Sequence, residues 1–134
     1  MTAKYFADAW FFIAFTDRLD AHHRRAVSLV PRVGNDLVTT EAVLTEVLAF
    51  FSGQGADTRA KAAAAARAAI GSIDVVTIDR AFFLRALKLY EERADKAYSL
   101  TDCMSMVVMR DRNITHVLTN DHHFRQEGFT LVNE

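Results

Sequence analysis

Short β-prone runs and longer helical segments alternate along this chain from end to end, and that alternation restricts it to an α/β architecture. Strands are expected at Lys4 to Ala7, Asp36 to Val38, Ile73 to Ile78, Thr115 to Thr119 and Phe129 to Val132. Ile73 to Ile78 is the clearest, because it is rich in β-branched residues. Between them lie helical segments with recognisable starts and stops. Asp8 is placed to cap a helix from Ala9 to Phe15, its carboxylate accepting from the first-turn amides. Asp20 starts a helix through His22 to Leu29, which Pro31 ends. Thr39 or Thr40 caps Glu41 to Phe51, closed by Ser52-Gly53. Asp57 or Thr58 opens an alanine-rich helix to Ile70 with Gly71 as its stop. Asp79 caps Arg80 to Arg93. Ser99-Leu100-Thr101-Asp102 is a capping-box pattern that opens a helix to about Arg110. Five strands separated by helices imply a mostly parallel sheet with helices on both faces.

At 134 residues the chain is read as one domain spanning 1–134, long enough to bury a core without disulfides. It shows no internal repeat, no linker, and no low-complexity tract beyond the alanine run. Half of its residues are hydrophobic, which excludes a disordered chain. Lys and Arg (16) nearly balance Asp and Glu (17), so any nucleic-acid binding must come from a local patch rather than a global field. Arg80, Arg85 and Lys88 share one helix, Arg110, Arg112 and Arg125 fall near helix ends, and Lys96 precedes Asp102; a solvated face explains them equally well. One cysteine, Cys103, excludes an internal disulfide framework and fits a reducing compartment. No signal peptide is read at Met1-Thr2-Ala3-Lys4, and no apolar stretch is long enough to span a bilayer. The expectation is therefore a cytoplasmic protein, in which the sequon Asn113-Ile114-Thr115 carries little weight.

Four carboxylates fall where such a fold gathers its chemistry. Asp8 and Asp121 each lie just past the carboxyl end of a strand. Glu46 and Asp102 lie in early turns of helices, and in a βαβ unit helix N-termini reach the same sheet edge. Singly, each acid has a plain structural reading as a helix cap, a turn former or a solvated helix residue. Jointly, chain topology brings all four to one edge. Glu46 adds weight, because Val43, Leu44, Val47 and Leu48 around it are apolar. Converging acids repel, and a hard cation such as Mg²⁺ or Mn²⁺ is the natural counter-charge for oxygen-only ligands.

The order Phe6-Ala7-Asp8, then Thr39-Thr40-Glu41-Ala42-Val43-Leu44-Thr45-Glu46, then Ser99-Leu100-Thr101-Asp102, then Leu118-Thr119-Asn120-Asp121-His122-His123-Phe124 with Gly128-Phe129 resembles a PIN domain. The similarity is closest to the VapC-type toxin ribonucleases and covers nearly the whole chain. The resemblance implies a metal-dependent endoribonuclease with Asp8, Glu46, Asp102 and Asp121 as metal-binding catalytic acids, Asp121 being the most dispensable. It implies an RNA substrate, products with 5′-phosphate and 3′-hydroxyl ends, a homodimer, and a cognate antitoxin that lies along a groove formed by the first helices. One departure is visible. Family members usually carry Thr or Ser after the first Asp, whereas this chain has Ala9 and then Trp10. Two other readings stay open: a catalytically weak PIN-like binding module, and a small-molecule phosphohydrolase. The latter commonly needs a second Asp two residues after the first, which Asp8-Ala9-Trp10 lacks.

The histidines do not show zinc spacing. His22-His23 and His122-His123 are adjacent pairs, not one helical turn apart; His122 and His123 follow Asp121, where one could reach a substrate phosphate, and the preferred reading of both is as turn residues. Cys103 has no nucleophile partner and reads as a buried, inert thiol. Trp10, Phe11, Phe12, Ile13 and Phe15 make the first helix apolar nearly all round, more than one sheet contact consumes. With Leu48, Phe50 and Phe51 ending the helix from Glu41, this points to a homodimer and a further apolar groove.

Overall fold

The computed structural model describes residues 5–132. Its elements run β1 (Tyr5–Ala7), α1 (Ala9–Thr16), α2 (His23–Val33), β2 (Leu37–Thr40), α3 (Glu41–Phe51) and α4 (Ala56–Ser72). The second half is β3 (Asp74–Val76), α5 (Arg80–Glu92), α6 (Leu100–Asp111), β4 (His116–Leu118), α7 (His123–Gln126) and β5 (Thr130–Leu131). The strands form one sheet in the order β3-β2-β1-β4-β5, and every neighbouring pair is parallel. Lys4, expected in the first strand, lies outside the described residues.

Strand alternation divides the core in two. Phe6, Val38 and Val117 point into a cluster with Val43, Ala86 and Met106, from α3, α5 and α6. Their neighbours Ala7, Leu37 and Leu118 point the other way, toward Phe11 and Ala14 of α1 and Ala26 and Leu29 of α2. The period-two geometry of a strand buries both faces of this sheet, as expected for parallel strands. In α6 nearly every side chain from Asp102 to Met109 is buried. Cys103 is among them, and burial pushes its thiol up to about 11, so it is inert.

The strand order makes β1 the centre. The chain moves from β1 to β2 and β3 on one side, then crosses back to β4 and β5 on the other. The adjoining carboxyl ends of β1 and β4 are therefore a topological switch point, where connections leave in opposite directions and open a crevice.

Two caps orient the helices that flank it. Thr40 Oγ1 accepts from the Val43 amide at 3.2 Å and fixes the start of α3. At α6 the Asp102 amide donates to Ser99 Oγ at 3.0 Å, and the Ser99 amide donates to Asp102 Oδ2 at 3.1 Å. This reciprocal capping box satisfies two amides that a helix start otherwise leaves open.

The structure departs from the sequence reading in several places. Pro31 lies inside α2, which continues to Val33. The amide that Pro31 lacks would have met the carbonyl of Val27, an exposed residue, so water can satisfy that group. The stop is Gly34, whose φ of 54° is costly for residues with a Cβ, and whose amide donates to Val30 O. Gly71 likewise does not stop α4, which runs through Ser72. A four-residue helix, α7, forms where a turn was expected. It is too short to leave a periodic signature and is anchored by the fully buried Phe124. The first helix spends more of its apolar surface internally than expected. Ala9, Phe11 and Ala14 are buried, Phe12 and Ile13 pack partly on the core, and Phe15 alone is largely open, at 45% exposure.

The capping box yields a stability prediction. Ser99→Ala should lower the unfolding free energy by about 1 kcal/mol in denaturant titrations, with Ser99→Thr close to wild type. Equal stability of the alanine variant would show that α6 is held by packing alone.

Candidate active site and metal centre

The acids meet at the switch point, each carried there by a different element. The Asp8 amide extends the β1–β4 ladder by donating to Leu118 O at 3.1 Å. That bond aims the Asp8 side chain across the crevice, where Oδ2 accepts from Thr119 Oγ1 at 2.7 Å. Thr119 Oγ1 also accepts from the Asp121 amide at 3.1 Å, so one hydroxyl ties the two strand ends together. Thr39 Oγ1, buried on β2, donates to Ala7 O at 2.7 Å and holds the end of β1 from the opposite side.

Asp8 therefore does not cap α1 as the sequence reading expected. Its carboxylate makes no side-chain capping bond to the amides deeper in the first turn, takes only the neighbouring Ala9 amide, and turns to Thr119.

Asp121 is held by its own turn, with Oδ1 accepting from the His123 amide at 2.9 Å. The His123 ring then folds back between two acids. Its Nδ1 lies 3.3 Å from Asp102 Oδ2 and 3.2 Å from Asp121 Oδ1. Ligand atoms of Asp102, Asp121 and His123 all lie within 4.8 Å of one another, a spacing that could hold one metal ion. Tyr98 backs the imidazole with ring centroids 5.4 Å apart. Asp8 and Glu46 flank this trio. Asp8 is 8% exposed and Asp102 9%, whereas Glu46 stands on the open rim of α3 beside Thr101 and Met104.

The electrostatics match crowded acids. Burial raises the Asp8 carboxyl to about 7, with Asp102 and Glu46 adding repulsion against the pull of the Thr119 hydroxyl and the Ala9 amide. Burial also raises Asp102, opposed by the Ser99 amide and His123, with Asp121 pushing it further up. Glu46 is raised by burial and by repulsion from Asp102 and Asp121, with Thr101 holding it down. Asp8 thus lies within electrostatic reach of Asp102 and Glu46, and both of these within reach of Asp121. Several arginines pair with other carboxylates: Arg85 with Asp111, Arg93 and Arg110 with Glu127, and Arg112 with Asp74.

Two residues at the site were not assigned to it from sequence. His123 was read as a turn residue, yet its ring enters the acidic cluster. Its position two residues after Asp121 was the available signal. Thr119 was read only as the end of a strand, yet it bonds Asp8 and Asp121. The Thr-x-Asp spacing, which lets a hydroxyl meet the amide two residues on, was the available signal.

Beside the carboxylates opens a cleft of about 490 Å³ lined by Asp8, Trp10, Asn120, Asp121, His122 and Gln126, among others. A second, of about 590 Å³, is lined by Glu46, Thr101, Ile78 and Phe83, among others.

A parallel α/β domain with an acidic cluster at its switch point defines the class, and the family follows. The PIN domain family model matches residues 5–129, and the chain belongs to that family. No curated protein matches it in sequence. Among solved structures it is similar to the Mycobacterium tuberculosis toxin VapC20, described as cleaving the sarcin-ricin loop. The identity is 25% over 94% of this chain and 96% of that one, with a TM-score of 0.82. It also shares its fold with PAE2754 from Pyrobaculum aerophilum, at 17% identity, 98% and 91% coverage and a TM-score of 0.66. VapBC2 from Rickettsia felis, solved on a promoter DNA fragment, gives 12% identity, 95% and 96% coverage and a TM-score of 0.65. Among the described residues, no helix is long and apolar enough to cross a membrane.

The raised Asp8 carboxyl predicts a pH dependence. Between an unfolded value near 3.8 and the folded value of about 7, native Asp8 keeps a proton that the unfolded chain has released. Stability contributed by this group is therefore complete below the unfolded value and falls as pH rises to about 7. The total is roughly 4 kcal/mol by linkage. In EDTA, Asp8→Asn should gain stability relative to wild type between pH 4 and 7, read by urea melts. A constant difference across that range would contradict a buried, strained carboxylate.

Proposed function

We propose that this protein is a divalent-metal-dependent endoribonuclease acting as the toxin of a toxin–antitoxin pair. One observation carries the reading. In a PIN-family chain that matches a VapC toxin over nearly its full length, Asp8, Glu46 and Asp102 gather with Asp121 at one switch point, the first three with carboxyls raised by burial and by repulsion from their acidic neighbours.

The donor set fits a cation. Asp102, Asp121 and His123 supply ligand atoms within one ion's span, and Asp8 and Glu46 add charge beside them. Carboxylate oxygens suit Mg²⁺ and Mn²⁺, and imidazole nitrogen is tolerated more readily by the softer Mn²⁺. When bound, such an ion supplies an activated water and neutralises charge on the scissile phosphate. The chain's own residues do the rest. Thr119 fixes the Asp8 carboxylate, the Ser99 capping box fixes Asp102, and the Asp121 turn fixes His123. Asp8, closed in beside the other acids, would act as a ligand or as the acceptor of the water's proton. The clefts lined by Asp8 and Asp121 and by Glu46 leave room for a single strand. No serine or cysteine nucleophile is required.

The antitoxin is assigned to the groove between the end of α1 and α4. It is lined by Arg18, Leu19, Phe51, Thr58 and Lys61, where Leu19 is 95% exposed. Its mix of apolar and cationic groups suits an amphipathic segment carrying acids. The homodimer is assigned to the exposed Leu48, Phe50, Phe83 and Leu84 of α3 and α5.

Purified protein should cut single-stranded RNA in Mg²⁺ or Mn²⁺ and not in EDTA. Asp8→Asn and Asp102→Asn should each lower the rate roughly a hundredfold or more while keeping the native circular dichroism spectrum. Cutting that persists in EDTA or in both variants rejects the mechanism. Mn²⁺ at about a hundred times its Kd should also stabilise the wild type by about 2.7 kcal/mol, and Asp102→Asn by much less. A melting curve indifferent to Mn²⁺ argues against a shared acidic site.

A further inference from the structure

We infer that Trp10 is a base-recognition platform: its indole forms the wall of the cleft beside Asp8 and Asp121 on which a nucleobase of single-stranded RNA is held next to the scissile phosphate. This rests on the nuclease reading above and adds to it the part of the substrate this cleft grips.

Three observations converge on Trp10. It lines the 490 Å³ cleft together with Asp8 and Asp121, so a group lying against the indole is adjacent to the acidic centre. Its Nε1 is shielded from solvent and has no hydrogen-bond partner, alone among buried side-chain polar atoms of the described residues. Its ring meets His22 at 5.8 Å between centroids, with the planes tilted by 55°, which limits the rotation of the indole.

The unpartnered N–H is a cost to folding and, closed to solvent, is not a contact for a group in the cleft. A buried donor without an acceptor destabilises the folded chain. Phenylalanine would give the same position its apolar contact without that cost. The indole packs partly on the core beside α1 and α2, and where it lines the cleft it offers an aromatic face to a bound molecule. Nucleobases bring ring faces that stack on tryptophan. The same cleft is also lined by Gln126, whose side-chain type offers both a donor and an acceptor to a base edge. Unpaired bases are the accessible form of such a ligand, so the site selects single-stranded RNA over duplex.

The chain contains one tryptophan, so its fluorescence reports on this position alone. The test uses Asp102→Asn protein in Mg²⁺, which leaves RNA intact, titrated with eight-nucleotide oligo(A) and oligo(U) and with an abasic ribose-phosphate octamer of equal charge. Binding is followed in parallel by anisotropy of a dye at the 3′ end. The expected result is saturable quenching by the base-bearing oligomers and none by the abasic one. In the otherwise wild-type enzyme, Trp10→Leu should raise KM about tenfold with kcat nearly unchanged, as for loss of one stacked base. Trp10→Phe should recover most of that loss and should melt no lower than wild type, since the unpartnered donor is gone. Oligomers that bind by anisotropy without moving the fluorescence overturn the platform and leave the nuclease reading standing. Equal quenching by the abasic oligomer overturns it too, by assigning the contact to the backbone. Failure of every oligomer to bind, with no RNA cut by the wild type, overturns both.

Discussion

A carboxylate lodged at the centre of a parallel sheet's carboxyl edge is the constraint from which the rest of this molecule follows. Asp8 is nearly closed off from water, and the cost of ionising it there exceeds what the Thr119 hydroxyl and the Ala9 amide return. Placing further acids within reach of it raises that cost. A fold selected only for stability would put an amide or a methyl group at this position. The sheet instead spends two buried threonines, Thr39 and Thr119, on holding the end of β1 and the Asp8 side chain in place. Strain concentrated at one point and braced from both sides marks a place where charge is to be received.

The bracing extends to the helices. Asp102 serves two purposes with one side chain. Its Oδ2 closes the capping box at the start of α6 and also faces His123. The plain reading of Asp102 as a helix cap holds, and the same side chain also faces the acidic cluster. Burial of α6 along its length means that the acid cannot swing away without disturbing the core. The rigidity a metal ligand requires is thus borrowed from packing that the helix needs anyway.

The sheet and its two covered faces were legible because strand alternation and helix caps are local signals. Thr40, Asp79 and Ser99 each cap the helix they announce. The four acids were legible because topology, not contact, collects them. What escaped were features decided by tertiary packing. Pro31 is tolerated because the carbonyl it strands lies on an exposed turn. α7 exists because Phe124 is buried, which four residues of sequence cannot announce. His123 enters the site only because α7 turns its ring toward Asp102. The apolar excess of the first helix was overestimated, because two-sided burial of the sheet was not counted against it.

The residue after Asp8 shows how such a site redistributes its groups. A hydroxyl is usual there in the resembling family, and this chain has Ala9, which is buried in the core. No side-chain oxygen at that position can steady the acid. Thr119, on the adjacent strand, does so at 2.7 Å and through the same atom reaches the Asp121 amide. Thr119 thereby links two acids from the β4 side. With Ala9 small and turned inward, Trp10 forms part of the cleft wall. The departure at Ala9 and the unusual neighbour at Trp10 are then one arrangement: the acid is held from the β4 side, and the α1 side is left for what enters the cleft.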